Sequence, residues 1–206
     1  MLGLESTSIS LCEEFVVVTV NRLVVGISGA SGVVYGVRLL EALADRKDIE
    51  THLVVSGGAL RTLELETDLT LREVEALADQ VHDVDDLAAP LSSGSFRTMG
   101  MVVAPCSMKT LSGIVNSFSD NLLIRAADVT LKERRRLVLL PRETPLHLGH
   151  AQLFVRALEM GAVVMPPVPA LYHRPTTVAE IIDHTVGRVL DVFDIDNDLV
   201  ARWTGG

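Results

Sequence analysis

The stretch "LVVGISGASGVVYGVRLLEALAD", Leu23 to Asp45, sets the pattern for the whole chain. Its first five residues form a near-continuous apolar run, as expected of a parallel strand covered on both faces. A loop of small residues, "SGASG" at 28–32, interrupts the run, and beyond it Val33, Val37 and Leu40 return at helical spacing with Tyr35 among them. These side chains read as core packing. The glycines fall at 26, 29, 32 and 36 and never form the G-x-G-x-x-G spacing of a dinucleotide turn, so the loop holds something else.

The same unit recurs along the chain. Further candidate strands are 51–56 ("THLVVS"), 101–105 ("MVVAP"), 137–141 ("LVLLP") and 162–166 ("AVVMP"). Between them lie the helical patterns "GGALRTLELET", "TLREVEALAD", "SDNLLIRAADVTLKERR" and "AQLFVRALEM", the last ending at Gly161 as a left-handed cap. Thr70 with Glu73, and Thr177 with Glu180, each open a helix as a capping box. Repeated βα units of this kind specify a single-domain α/β fold with a doubly wound parallel sheet, spanning residues 22–206, with ligands beyond the carboxyl ends of the strands. Residues 1–21 read as an N-terminal extension without an assigned role, with an added strand suggested at "FVVVTV".

With 206 residues, 48% of them hydrophobic, the chain can bury one sizeable core. Its net charge of −9 argues against a nucleic-acid surface, because neutralising phosphates needs a broad basic face. Cys12 and Cys106 are the only cysteines, which gives no disulfide framework and suits a reducing cytoplasm. No apolar run reaches the roughly 18 residues of a membrane span. The first 21 residues lack the basic start of a signal peptide and carry Glu13 and Glu14 where an apolar core would continue.

Three strand-end loops share small hydroxyl residues at helix starts: "SGASG" with Ser31, "SGG" from Ser56, and "PCSMKT" with Ser107 and Thr110 three residues apart. Unpaired N–H groups and the positive end of the helix dipole make such loops suited to a phosphate. The loop "LAAPLSSGSFRT" at 87–98 is the longest irregular stretch, and its reading stays open between a surface turn and a functional segment. Arg125, Lys132, Arg134, Arg135, Arg136 and Arg142 gather six of the 18 basic residues. Arg134 to Arg136 read as a solvated helix face pairing with Asp128 and Glu133. Arg142 differs, because it follows a strand at the ligand edge with Glu143 beside it, where a cation and a carboxylate can bind an anion and move a proton. Tyr172, in "LYHRP", and Arg188 offer further phosphate contacts. His147 and His150 form H-x-x-H with no third ligand near in sequence, which favours a loop or capping role over zinc. Cys106 reads as a small buried hydrophobe, with a nucleophile at a helix start as the rarer alternative.

The segments "GISGASGVVYGVRLLEAL", "APCSMKTLSGI", "DNLLIRAADVTLKERRRLVLLPRETPLHL" and "GAVVMPPVPALYHRPTT" closely resemble the flavin prenyltransferase family, the UbiX-like flavoproteins long described as decarboxylases. The resemblance runs from about Arg22 to Trp203. It implies a Rossmann-like (flavodoxin-like) flavoprotein domain that binds FMN and joins a dimethylallyl group from dimethylallyl monophosphate to N5 and C6 of the reduced flavin, without a metal. The product passes to a UbiD-like decarboxylase. FMN contacts carried over by motif are Gly29, Ala30, Ser31, Ser56, Ser107, Met108, Lys109, Thr110 and Arg142. Tyr172 and Arg188 would hold the prenyl phosphate, aided by Lys132, Arg142 and an Arg125 from a neighbouring subunit. Ser31, Glu66 and Glu143 match the catalytic positions, and the family assembles as a dodecamer built from trimers.

Where some relatives carry a tryptophan ahead of the small-residue loop, this sequence has Leu87; Trp203 matches a C-terminal family position. Two rival readings share the fold. One is a flavin-dependent cysteine decarboxylase, which relies on a histidine absent from "GGALRTLELET". The other is a non-catalytic FMN-carrying subunit, which would need neither Glu66 nor Glu143.

Overall fold

The computed structural model describes residues 21–200 and 202. Within them six parallel strands form one sheet: β1 Asn21–Ile27, β2 Ile49–Val55, β3 Gln80–His82, β4 Gly100–Cys106, β5 Arg136–Pro141 and β6 Val163–Val164. The helices are α1 Val33–Leu43, α2 Gly57–Glu66, α3 Leu71–Glu75, α4 Met108–Val115, α5 Leu122–Lys132, α6 Leu148–Glu159 and α7 Val178–Val192. Strand order is β3-β2-β1-β4-β5-β6, so the chain winds outward from β1 in one direction and then, from β4, in the other. In open α/β sheets the ligand crevice lies at such a reversal, here outside the carboxyl ends of β1 and β4. The sheet is doubly wound, as the sequence pattern required.

Side chains alternate across the strands and feed two cores. Leu23, Val25 and Ile27 of β1 join Val102, Ala104, Val138 and Leu140 on the face covered by α1 and α7. Val24 joins Met101, Val103, Leu137 and Leu139 on the face covered by α4 and α5. All seven residues of β4 are buried, which explains why its sequence shows no polar alternation. Truncating a fully buried member such as Leu23 to alanine costs about 2–5 kcal/mol.

The structure adds one strand to those read from the sequence. β3 is a three-residue edge strand, mostly exposed, so "QVH" carries no apolar run to announce it. The last candidate strand shrinks to Val163–Val164. Gly161 has φ +94, the left-handed cap expected after α6. Thr70 and Glu73 form the reciprocal capping box. At α7 only half the expected box closes: Thr177 accepts from the Glu180 N–H, while the Glu180 carboxylate reaches past it to the N–H and hydroxyl of Thr176.

Arg134 to Arg136 are not a helix face. α5 ends at Lys132, Arg134 takes φ +57, Arg135 donates to the carbonyls of Gly94 and Phe96, and Arg136 opens β5 paired with Asp194. The strand suggested at "FVVVTV" and the match at Trp203 lie outside the described residues. Among the described residues no helix is long and apolar enough to cross a membrane.

Candidate active site

Three loops converge at the carboxyl edge, and a buried serine ties two of them. The Ser28 hydroxyl, fully buried, donates to the Pro105 carbonyl at 2.9 Å and accepts from the Ser107 N–H at 2.7 Å. The glycine loop after β1 is thereby held against the start of α4. A Cβ on Gly29 would lie 2.8 Å from the backbone of Gly58, so glycine is required where the loops after β1 and β2 touch.

The two helices that start at the switch point differ in what meets their free N–H groups. At α1 the N-cap Gly32 has φ +100, and the Glu66 carboxylate, arriving from the end of α2, fills the terminus. Its Oε2 accepts from the N–H of Gly32 at 2.7 Å and of Val33 at 3.3 Å. The chain's own carboxylate thus occupies the place where sheets of this strand order hold a dinucleotide pyrophosphate. At α4 the Ser107 hydroxyl accepts from the Thr110 N–H at 3.1 Å and donates to the Thr110 hydroxyl at 3.0 Å. The N–H groups of Met108 and Lys109 take no partner among the described residues, and the Lys109 side chain is exposed beside them. At α2, Ser56 is an ordinary N-cap, accepting from the Ala59 N–H at 3.3 Å.

Beside the glycine loop opens a cavity of about 350 Å³. Ser31, Glu66 and Arg142 form its polar rim, and Tyr35, Val178, Ile181 and Ile182 its apolar wall. Arg142 is placed by its N–H, which extends the β5–β4 ladder to the Cys106 carbonyl at 3.2 Å. Its guanidinium forms no ion pair among the described residues. Glu143 does not bond Arg142; its carboxylate accepts from the Thr144 N–H at 3.0 Å. Burial pushes the Tyr35 phenol pKa up, so the ring is neutral at the cavity wall. Tyr35 packs against the core, as its place among Val33, Val37 and Leu40 leads one to expect, and also lines the cavity.

Other expected residues stand apart from this cavity within one chain. Arg125 pairs with Asp128 at 2.9 Å and reaches the Ser92 carbonyl, while Lys132 pairs with Glu133 against the loop at Gly94. Arg188 pairs with Asp191 at 2.7 Å, and Tyr172 meets His184 on α7. Leu87 is 47% exposed in its loop. His147 caps α6 by accepting from the His150 N–H, with the two rings 3.6 Å apart. Cys106 is a buried free thiol whose pKa burial pushes up to about 12, which leaves it inert, as expected of a small hydrophobe. Among the described residues no three His, Cys, Asp or Glu side chains gather as a metal site.

An edge built this way, with one helix start sealed and the other open beside Arg142, suits an α/β protein of the class that takes a phosphate-bearing mononucleotide. The chain belongs to the flavoprotein family, whose profile matches residues 18–203. It is 65% identical to the flavin prenyltransferase UbiX of Escherichia coli strain K12 over 187 residues, 90% of this chain and 99% of that one. It is also similar to the crystal structure of AnUbiX (PadA1) in complex with FMN and dimethylallyl pyrophosphate, with TM-score 0.88 and 50% identity over 91% of this chain and 99% of that one. A dodecameric FMN-dependent UbiX-like decarboxylase from Escherichia coli O157:H7 superposes with TM-score 0.87 and 51% identity, covering 89% of this chain and 100% of that chain.

Proposed function

We propose that this chain joins a dimethylallyl group from dimethylallyl monophosphate to N5 and C6 of reduced FMN, and passes the prenylated flavin to a UbiD-like decarboxylase. The observation that carries this is the meeting of Ser31, Glu66 and Arg142 around one half-apolar cavity next to an open helix start. FMN fits that edge. Its phosphate would take the free N–H groups of Met108 and Lys109 and the hydroxyls of Ser107 and Thr110, with Gly29, Ala30, Ser31, Ser56 and Arg142 along the rest of the molecule. The reduced flavin supplies the electron-rich ring atoms that the allyl group joins.

The chain's residues then act on the phosphate and the protons. Breaking the allylic C–O bond leaves negative charge on the departing phosphate, which Arg142 stabilises with Tyr172, Arg188, Lys132 and Arg125. Donors already aimed at the departing phosphate spare the reorganisation that water would need as the charge develops. Val178, Ile181 and Ile182 offer the five-carbon chain an apolar wall and exclude water. Glu143 protonates a phosphate oxygen, with the Ser31 hydroxyl as relay. Glu66 holds the turn with Oε2, and its Oε1, without a hydrogen bond among the described residues, is available to take the proton released at ring closure.

Arg125 and Lys132 lie on α5, away from the cavity, so the site is completed across a subunit boundary in a homo-oligomer, which we assign as a dodecamer. The exposed Leu148, Val155 and Leu158 of α6, with Phe118, supply apolar surface for such contacts. The free Cys106 thiol supports a cytoplasmic location, and residues 22–206 act as one FMN-binding domain. Anaerobic incubation with reduced FMN and dimethylallyl monophosphate tests the reading. Mass spectrometry should find the flavin heavier by one dimethylallyl group. Unmodified flavin with both the monophosphate and the pyrophosphate donor would overturn it, and carbon dioxide released from a cysteine-terminated peptide would favour the cysteine decarboxylase.

A further inference from the structure

We propose that His184 is a positioning residue for phosphate release: its Nε2–H donates to the Tyr172 hydroxyl and turns the phenolic proton toward the prenyl phosphate. The inference rests on the assignment of Tyr172 to that phosphate made above. The Tyr172 oxygen lies 2.9 Å from His184 Nε2, and the two rings meet edge-on, 5.8 Å apart at 82°. His173 lies flat on the other ring, with His173 and His184 centroids 4.7 Å apart and planes within 8°. Both ring nitrogens of His173 are buried without a hydrogen-bond partner among the described residues, so this ring serves as a plate that fixes the plane of His184. Arg188, another proposed phosphate contact, follows one turn later on α7.

The donor direction follows from proton counting. A phenol has a single proton. If Tyr172 gave it to His184, the hydroxyl would present only lone pairs to an anion, which repels. If His184 donates instead, the phenolic proton is left for a phosphate oxygen. Burial, then His173 and Arg188, lower the His184 pKa against the opposing pull of Asp191, so the ring works as a neutral donor that sets direction rather than as a charge.

Two variants separate hydrogen bonding from packing. His184→Phe keeps a ring on His173 and removes the donor; His184→Gln loses the ring and keeps an amide N–H. With FMN saturating, His184→Phe should raise KM for dimethylallyl monophosphate about tenfold with the FMN Kd unchanged, and His184→Gln should return KM to within about threefold of wild type. On a Tyr172→Phe background His184→Phe should add nothing. Full activity in the Phe variant with loss in the Gln variant would mean that the ring only packs, and additive losses in the double variant would also overturn the inference. Wild-type protein that prenylates no flavin sinks the transferase reading and this inference together, whereas an active wild type with unchanged KM in His184→Phe sinks this one alone.

Discussion

Two helices begin side by side at the switch point of the sheet, and the chain treats their ends oppositely. The start of α1 is closed by Glu66, a carboxylate drawn from 34 residues away to the N–H of Gly32. The start of α4 keeps the N–H groups of Met108 and Lys109 open under a serine cap. Both ends carry the same dipole and the same kind of small-residue loop. The difference teaches that a glycine-rich turn after the first strand does not by itself make a phosphate site; what occupies its amides decides. Of these two termini only the open one is left to receive a phosphate.

The comparison can be broken at several points. The largest effect should come from Arg142→Ala, which removes the cation at the rim of the cavity and should slow flavin prenylation at least about 100-fold, read by mass in an anaerobic time course. Arg142→Lys should recover only part of this, since a point charge cannot replace the planar fork. Next is Ser28→Ala, which cuts the tie between the two loops and leaves the Ser107 N–H without its buried acceptor. Urea unfolding should show a loss of about 1–3 kcal/mol, and FMN should bind more weakly because the α4 terminus is no longer registered against the glycine loop.

Glu66→Ala sharpens the contrast by unsealing α1. Stability should fall by about 1 kcal/mol, and added inorganic phosphate should raise the melting temperature of the variant more than that of wild type. An equal response in both would mean that the carboxylate does not guard the terminus. The smallest effect lies outside both ends. His52 and His82 sit ring against ring on β2 and β3, 2.9 Å between nitrogens, and burial lowers both pKa values. The unfolded histidines, near about 6.5, then take up protons before the folded ones, so stability should fall as pH drops below about 6.5 and continue to fall toward the lower folded values. Urea midpoints measured from pH 8 to 5 should show this slope, and replacing both histidines with glutamine should flatten it.

Much of this arrangement was legible in the chain. The strand–loop–helix recurrence gave the doubly wound sheet because both faces are buried and the apolar runs are long. The hydroxyls at helix starts were also visible, since Ser56, Ser107 and Thr177 cap through bonds of three residues' reach. β3 was invisible because an exposed edge strand needs no apolar residues, and its place is set by distant bonds such as Thr51 N–H to the Asp79 carboxylate. The end of α5 was misread because its left-handed cap falls on Arg134 and no glycine marks it: the Arg134 and Arg135 N–H groups close back on the carbonyls of Leu131 and Thr130. Glu66 could be marked by resemblance, yet its bond to Gly32 is a tertiary fact that no local spacing encodes.

The open start of α4, and not the sealed start of α1, should receive the flavin's phosphate. A crystal structure of the protein with FMN tests it most directly. Phosphate oxygens should lie within hydrogen-bond distance of the Met108 and Lys109 N–H groups, with Glu66 still on Gly32. A phosphate seated on Gly32 and Val33, with the Glu66 carboxylate displaced, would contradict it.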